Sequence, residues 1–183
     1  MDKQAWRKHF KDQRAAIPEQ QRAQIDKAIT AQLVALPEFV ACDLLLAYLS
    51  FGAEIETRDI IRAAWEAGKT VALPRCVPGT RSMKWYQIES FDGLVKSSLG
   101  VEEPAADPTT EINPNAFEHA LCLVPGLSFD AQGFRMGYGG GFYDTFLKGF
   151  TGTSVGLCRR AQLCDKLPAL EPHDLPVNFV ITE

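Results

Sequence analysis

Leu44-Leu45-Leu46-Ala47-Tyr48-Leu49 and Thr70-Val71-Ala72-Leu73-Pro74 bracket the segment that decides the fold. Each is a short apolar run, as expected of a strand buried on both faces. Between them Ile60, Ile61, Ala64 and Trp65 recur at helical spacing, with Thr57 placed as N-cap and Gly68 as the stop. Strand, helix, strand in that order predicts a parallel pair joined by a crossover. In such sheets ligands gather beyond the C-terminal strand ends, where Glu54, Glu56 and Arg75 fall. Each of these charges, taken alone, also suits a solvated loop or a helix cap.

Upstream, residues 3–16 read as a basic helix carrying Lys3, Arg7, Lys8, Lys11 and Arg14. Lys3, Arg7 and Arg14 return near one face. That face is either solvated or lets Lys3 and Arg7, one turn apart, reach a phosphate together. Pro18 suits the first turn of a second helix. Its apolar positions Ile25, Ala28, Ile29, Leu33 and Leu36 end near Pro37, a pattern that predicts packing alone.

Downstream, residues 83–88, 119–125, 153–157 and 177–181 read as further strands. Residues 89–116 form a long irregular connection with room for a short helical turn. Asp130-Ala-Gln-Gly133 has the pattern of a type I turn. Pro168, Pro172 and Pro176 mark a loop that holds Glu171, His173 and Asp174. The whole chain, 1–183, is expected to be a single α/β domain with a mostly parallel sheet flanked by helices.

Composition narrows the setting. The 183 residues are 46% hydrophobic and 23% charged, with a net charge of −4, which argues against a nucleic-acid partner. The N-terminal residues lack the apolar core of a signal peptide, and no apolar run reaches membrane length. The five cysteines are odd in number and form no CxxC pair, so neither a disulfide framework nor a zinc site is expected. The expected location is the cytoplasm.

The chemistry concentrates in Arg135-Met136-Gly137-Tyr138-Gly139-Gly140-Gly141-Phe142-Tyr143-Asp144. The glycines can adopt positive φ and bare their N–H groups before a helix, which builds an anion-binding nest. Arginine, bare amides and one carboxylate together point to a nucleotide phosphate with bound Mg²⁺. The motif is not a Walker A loop, since no Gly-Lys-Ser/Thr follows, and its glycine spacing is wrong for a dinucleotide fingerprint. A purely structural role, close helix–strand approach, also accounts for glycines. Asp144 either complements the helix dipole or holds a metal. Ser128 lacks the second glycine of a nucleophile elbow, and His9, His119 and His173 show no metal-ligand spacing. The residues therefore describe a phosphate-binding α/β enzyme without a side-chain nucleophile.

The stretch from Pro125 to Asp144 closely resembles the signature of the 5-formyltetrahydrofolate cyclo-ligase family. Lys3-xxx-Arg7, Tyr48-Leu-Ser…Glu54-Ile-Glu-Thr57, Leu73-Pro-Arg75, His173-Asp174 and Val180-Ile-Thr-Glu183 extend the resemblance over essentially the whole chain. The resemblance implies an ATP- and Mg²⁺-dependent conversion of 5-formyltetrahydrofolate to 5,10-methenyltetrahydrofolate, with release of ADP and phosphate. It implies that Lys3, Arg7, Arg135, Met136, Gly137, Tyr138, Gly139, Gly140, Gly141, Phe142 and Tyr143 bind ATP. Leu49, Glu54 and Tyr138 would contact the folate, Asp144 and Asp174 would serve Mg²⁺, and Arg135, Tyr138 and Asp144 would carry the catalytic roles. The implied fold resembles the ribose-5-phosphate isomerase and CoA-transferase group, and the implied state is a monomer. Two positions depart from the family pattern: Tyr138 and Gly140 stand where arginine or another polar residue is frequent, and Asn178 where aspartate is common. The rival readings are a paralogue acting on another formyl or folate-like substrate and a non-catalytic folate- or nucleotide-binding protein.

Overall fold

The computed structural model describes residues 2–97 and 100–183. Three helices come first: α1 (Lys3–Ala16), α2 (Glu19–Val34) and α3 (Pro37–Ala41). Then β1 (Leu44–Leu46), α4 (Arg58–Glu66) and β2 (Thr70–Cys76) make the expected crossover. Leu44, Leu45 and Leu46 lie in parallel register with Thr70, Val71 and Ala72. After β3 (Met83–Gln87) come the short strands β4 (Val95–Lys96), β5 (Glu102–Glu103) and β6 (Glu111–Ile112). The remainder comprises β7 (Ala120–Val124), β8 (Ser128–Asp130), β9 (Arg135–Met136), α5 (Phe142–Leu147), β10 (Thr153–Leu157), β11 (Leu163–Cys164) and β12 (Phe179–Ile181).

Among the described residues the main sheet runs β12-β10-β7-β1-β2-β3-β6. From β12 to β2 neighbouring strands are parallel, and β3 and β6 close one edge antiparallel. Successive side chains of a strand point to opposite faces, so the apolar runs feed two cores. Leu45, Val71, Leu121 and Val155 join Ile29 and Leu33 of α2 and Ile60, Ile61 and Ala64 of α4. Leu44, Leu46, Ala72, Cys122 and Val124 join Phe129, with Tyr143, Phe146 and Phe150 packed alongside. Each fully buried leucine or isoleucine contributes roughly 1.5–3 kcal/mol. A third cluster of Phe10, Leu127, Met136 and Leu167 seats α1 against the β8–β9 hairpin. No helix among the described residues is long and apolar enough to cross a membrane.

Some details differ from the sequence expectation. Residues 89–116 are less irregular than expected: β6 pairs with β3, and a 3₁₀ turn spans Pro114–Ala116. Arg75 is turned to this connection, donating to the Pro104 carbonyl at 2.7 Å and pairing with Glu103 at 3.4 Å. Thr57 occupies the N-cap position of α4, yet its hydroxyl donates to the Tyr48 carbonyl at 2.6 Å and caps nothing. Glu56 takes that task, accepting from Arg58 N–H at 2.8 Å.

The largest difference lies in α2, where packing alone was expected. Asp26 is buried and accepts two hydrogen bonds from Arg159, each 2.8 Å long. Arg159, fully buried, also donates to the Ala53 and Glu54 carbonyls at 2.9 and 3.2 Å, and Asp26 accepts from Glu56 N–H at 3.1 Å. The pair thus ties α2, the end of β10 and the loop of residues 50–56 into one knot. Removing one partner leaves a buried charge uncompensated, which costs about 3–5 kcal/mol. Asp26→Ala is therefore expected to lower unfolding free energy by about that amount in urea titration; a loss below about 1 kcal/mol would show that water compensates Arg159.

Candidate active site

Beyond the C-terminal end of β7, the chain turns at Pro125 into the β8–β9 hairpin and then the glycine run. There it lines a cleft of about 360 Å³, together with Lys3, Arg7, Arg81, Glu171, His173 and Asp174, within the usual size of small-ligand sites. The hairpin turn is set by Asp130, which accepts from Gln132 and Phe134 N–H, and by a 3.0 Å bond from Gly133 N–H to the Asp130 carbonyl. Two glycines are needed for the shape that follows. Gly139 has φ +104°, and a Cβ there would come within 3.1 Å of the Arg7 guanidinium carbon. Gly141, at φ +70°, is the N-cap residue of α5.

Charge in the cleft is paired internally. Arg135 is nearly buried and donates to Asp144 at 2.8 Å and to the Leu175 carbonyl at 2.9 Å. Leu175 N–H donates to the same Asp144 oxygen at 3.3 Å. Lys3 donates to Glu171 at 2.6 Å and to Asp174 at 3.1 Å. Burial pulls the Lys3 ammonium down, but its hydrogen bonds and ion pairs with Glu171 and Asp174 outweigh this and hold it above its ordinary value. The same hydrogen bond and the Lys3 charge hold Glu171 below the usual carboxylate range. Arg7 donates to the Gly137 carbonyl at 3.1 Å. Among the described residues no carboxylate pairs with Arg7 or Arg81, so these two guanidinium groups are free to meet an anion.

The structure thus gathers Lys3, Arg7, Arg135, Gly137, Tyr138, Gly139, Gly140, Gly141, Phe142, Tyr143, Asp144 and Asp174 along one wall system. Met136 departs from this set. Alternation along β9 sends it away from Arg135, into the third core beside Phe10 and Leu127. Leu49, three residues past β1, is buried in the core with Leu45 and Ala47 and does not line this cleft. Asp144 and Asp174 are held by different cations. The ligand atoms that approach one another within 4.8 Å belong to Glu171, His173 and Asp174, so His173, set aside on spacing, falls beside the acidic pair. Asn178 has a structural task, accepting from Ser154 N–H and hydroxyl at 2.8 Å each.

Sequence reading missed Arg81. It sits in the β2–β3 turn, and its Cδ lies 3.5 Å from where a Cβ of Gly141 would stand; no local pattern marks such an approach. It also missed the partners of Tyr138. The Tyr138 hydroxyl donates to Glu54 and accepts from Arg14 at 2.7 Å, and its ring lies under Lys11 and Arg14 at 5.4 and 5.7 Å. The Tyr143 hydroxyl is buried and, among the described residues, has no hydrogen-bond partner. Burial first, then Cys122, Tyr48 and Glu54 nearby, push it well above its ordinary pKa, so it remains a proton donor at physiological pH.

A mostly parallel α/β sheet with a polar, charge-lined cleft past its C-terminal strand ends defines the class: an α/β protein with its cleft where such sheets bind ligands. The chain belongs to the 5-formyltetrahydrofolate cyclo-ligase family, whose sequence profile matches residues 1–183. It is 32% identical over 173 residues to the 5-formyltetrahydrofolate cyclo-ligase of Escherichia coli (strain K12), covering 92% of this chain and 93% of that one. The Mus musculus 5-formyltetrahydrofolate cyclo-ligase is 26% identical, over 99% of this chain and 93% of its own. Among solved structures, the Aquifex aeolicus 5,10-methenyltetrahydrofolate synthetase aligns with a TM-score of 0.84 at 27% identity, covering 100% of this chain and 90% of that one. The Mycoplasma pneumoniae 5,10-methenyltetrahydrofolate synthetase, at 21% identity and TM-score 0.78 over 100% and 99%, bears on the fold alone.

The Lys3 network makes a pH prediction. Glu171 is held below its ordinary value of 4.5, so the contribution of its ionised form is present above that value and is lost as pH falls through the lowered one. An NMR titration of the Glu171 carboxyl carbon is expected to give a midpoint below 4.5 that rises in Lys3→Ala. A midpoint at or above 4.5 in the unmodified chain would place Lys3 elsewhere.

Proposed function

We propose that this enzyme converts 5-formyltetrahydrofolate to 5,10-methenyltetrahydrofolate with consumption of ATP and release of ADP and phosphate. The observation that carries this reading is the single cleft in which Lys3, Arg7, Arg81 and Arg135 face Asp144, Glu171 and Asp174 around the glycine loop, in a chain of this family. Cations so placed suit a polyphosphate.

The reacting atoms come from the substrates. The formyl oxygen attacks the terminal phosphorus of ATP, the bridging P–O bond breaks, and ADP departs. The N10 amine then attacks the activated formyl carbon and loses its proton. The C–O bond breaks, phosphate leaves, and the five-membered amidinium ring is closed. No protein nucleophile is required, and the chain's work is positioning and charge stabilisation. Arg7 and Arg81, with no carboxylate partner among the described residues, take the phosphate charge, and Lys3 and Arg135 can join them by releasing their carboxylates. The Tyr143 hydroxyl, buried and without a hydrogen-bond partner among the described residues, is a donor ready for a substrate oxygen. Glu54 contacts the folate, and Tyr138 borders its site.

Mg²⁺ fits the donor set. Arg135 and Leu175 engage one Asp144 oxygen and leave the other, and Glu171 and Asp174 add hard oxygen donors on the same cleft. When bound there, the ion would shield the charge of the phosphates. We place the enzyme in the cytoplasm as a monomer: its five cysteines remain free thiols, and one chain completes the cleft.

Mixing the protein with ATP, Mg²⁺ and 5-formyltetrahydrofolate should raise the absorbance of methenyltetrahydrofolate; folded protein that yields no product would remove the proposal. Asp144→Asn is expected to weaken apparent Mg²⁺ affinity at least about 10-fold, with turnover partly restored at high Mg²⁺. An unchanged Mg²⁺ dependence would reduce Asp144 to an anchor for Arg135.

A further inference from the structure

Behind Tyr138 lies a second pocket, walled in part by Arg14, Tyr48, Glu54, Gly126 and Gln162. Its volume is about 10 Å³, room for one water at most. Tyr138 stands between the two spaces: its ring lines the nucleotide cleft, while its hydroxyl bonds two residues of the inner pocket. Arg14 is only 8% exposed, and among the described residues no carboxylate pairs with it directly. A guanidinium taken out of water with a neutral hydroxyl as its hydrogen-bond partner is poorly compensated. Its position is accounted for if a ligand takes the place of that hydroxyl.

The hydroxyl shows what such a ligand must offer. It gives a hydrogen bond to Glu54 and takes one from Arg14, so a replacement needs an N–H donor beside a carbonyl acceptor. The amino-oxo edge of a reduced pteridine has that pattern. The tyrosine has room to turn outward: glycines flank it on both sides, nothing lies within 4 Å of a Cβ built at Gly137, and Tyr138 is 46% exposed. Its two hydroxyl bonds and the two cations over its ring are what hold it in place. Tyr143 also lines the cleft, and among the described residues its buried hydroxyl has no hydrogen-bond partner.

We propose that Tyr138 is a gate over the inner pocket, and that Arg14 behind it is a specificity residue which, with Glu54, reads the N–H/C=O edge of the folate ring. This rests on the cyclo-ligase reading for the identity of the ligand. A latch that keeps the open state a minor fraction lowers apparent affinity by that fraction, and Tyr138→Phe removes the latch while keeping the ring.

Calorimetric titration with 5-formyltetrahydrofolate, without nucleotide, tests both parts. Tyr138→Phe should bind about three- to tenfold more tightly than the unmodified chain; equal or weaker binding overturns the gate. Arg14→Gln should weaken binding at least about tenfold and abolish the preference for the 4-oxo ring over a 4-amino analogue. Equal weakening toward both ligands overturns the specificity role. If Arg14→Gln fails to fold, Arg14→Lys, which keeps the charge and loses the planar fork, carries the same comparison. Unmodified protein that binds the folate without cyclising it would remove the proposed activity and leave the gate to be decided by these titrations. Unmodified protein that binds no folate overturns both.

Discussion

The buried pair between Asp26 and Arg159 holds together what the sheet alone cannot. Parallel strands supply a stiff floor, but the loop of residues 50–56 leaves that floor and needs its own anchor. Arg159 supplies it with two bonds to Asp26 and one each to the Ala53 and Glu54 carbonyls. The backbone of Glu54 is thereby fixed relative to β10, and its carboxylate can meet Tyr138 across the site. Both charges are satisfied by several partners, the condition under which a buried ion pair is tolerated. Replacing it with apolar groups could preserve stability, but it would release the loop that presents Glu54.

The cleft follows a related logic with the opposite outcome. Its carboxylates and two of its cations satisfy each other, through Lys3 with Glu171 and Asp174 and through Arg135 with Asp144. The Lys3–Glu171 pair is the most exposed of these, so exchanging it for a ligand contact costs far less than breaking the buried pair, whereas the mostly buried Arg135–Asp144 pair is costlier to open.

Most of the architecture was legible because it follows from local pattern. The apolar runs at 44–49 and 70–74, the helical spacing around Ile60 and the stop at Gly68 all describe elements that the structure contains. The glycine run was legible too, since positive φ leaves a compositional mark. What escaped depends on contacts between distant residues. Nothing local to Asp26 distinguishes it from other helical acids, and its partner lies 133 residues away. Arg81 sits in an ordinary turn and gains meaning only when α5 packs nearby. Met136 turned inward for a different reason: a motif names consecutive residues, whereas a strand turns alternate ones away.

The seating of α1 has a consequence for how the molecule is made. This helix contributes Lys3 and Arg7 to the cleft and Arg14 to the inner pocket, yet it is synthesised long before its partners. The bond from Arg7 to Gly137 spans 130 residues, and that from Lys3 to Asp174 spans 171. A growing chain can assemble β1, α4 and β2 early, but it holds no complete binding surface until its last segments emerge. Contacts of such sequence separation form late and slow the final step of folding. Ligand affinity therefore arrives with completion of the fold, and saturating ligand should stabilise the finished protein without templating its nascent chain.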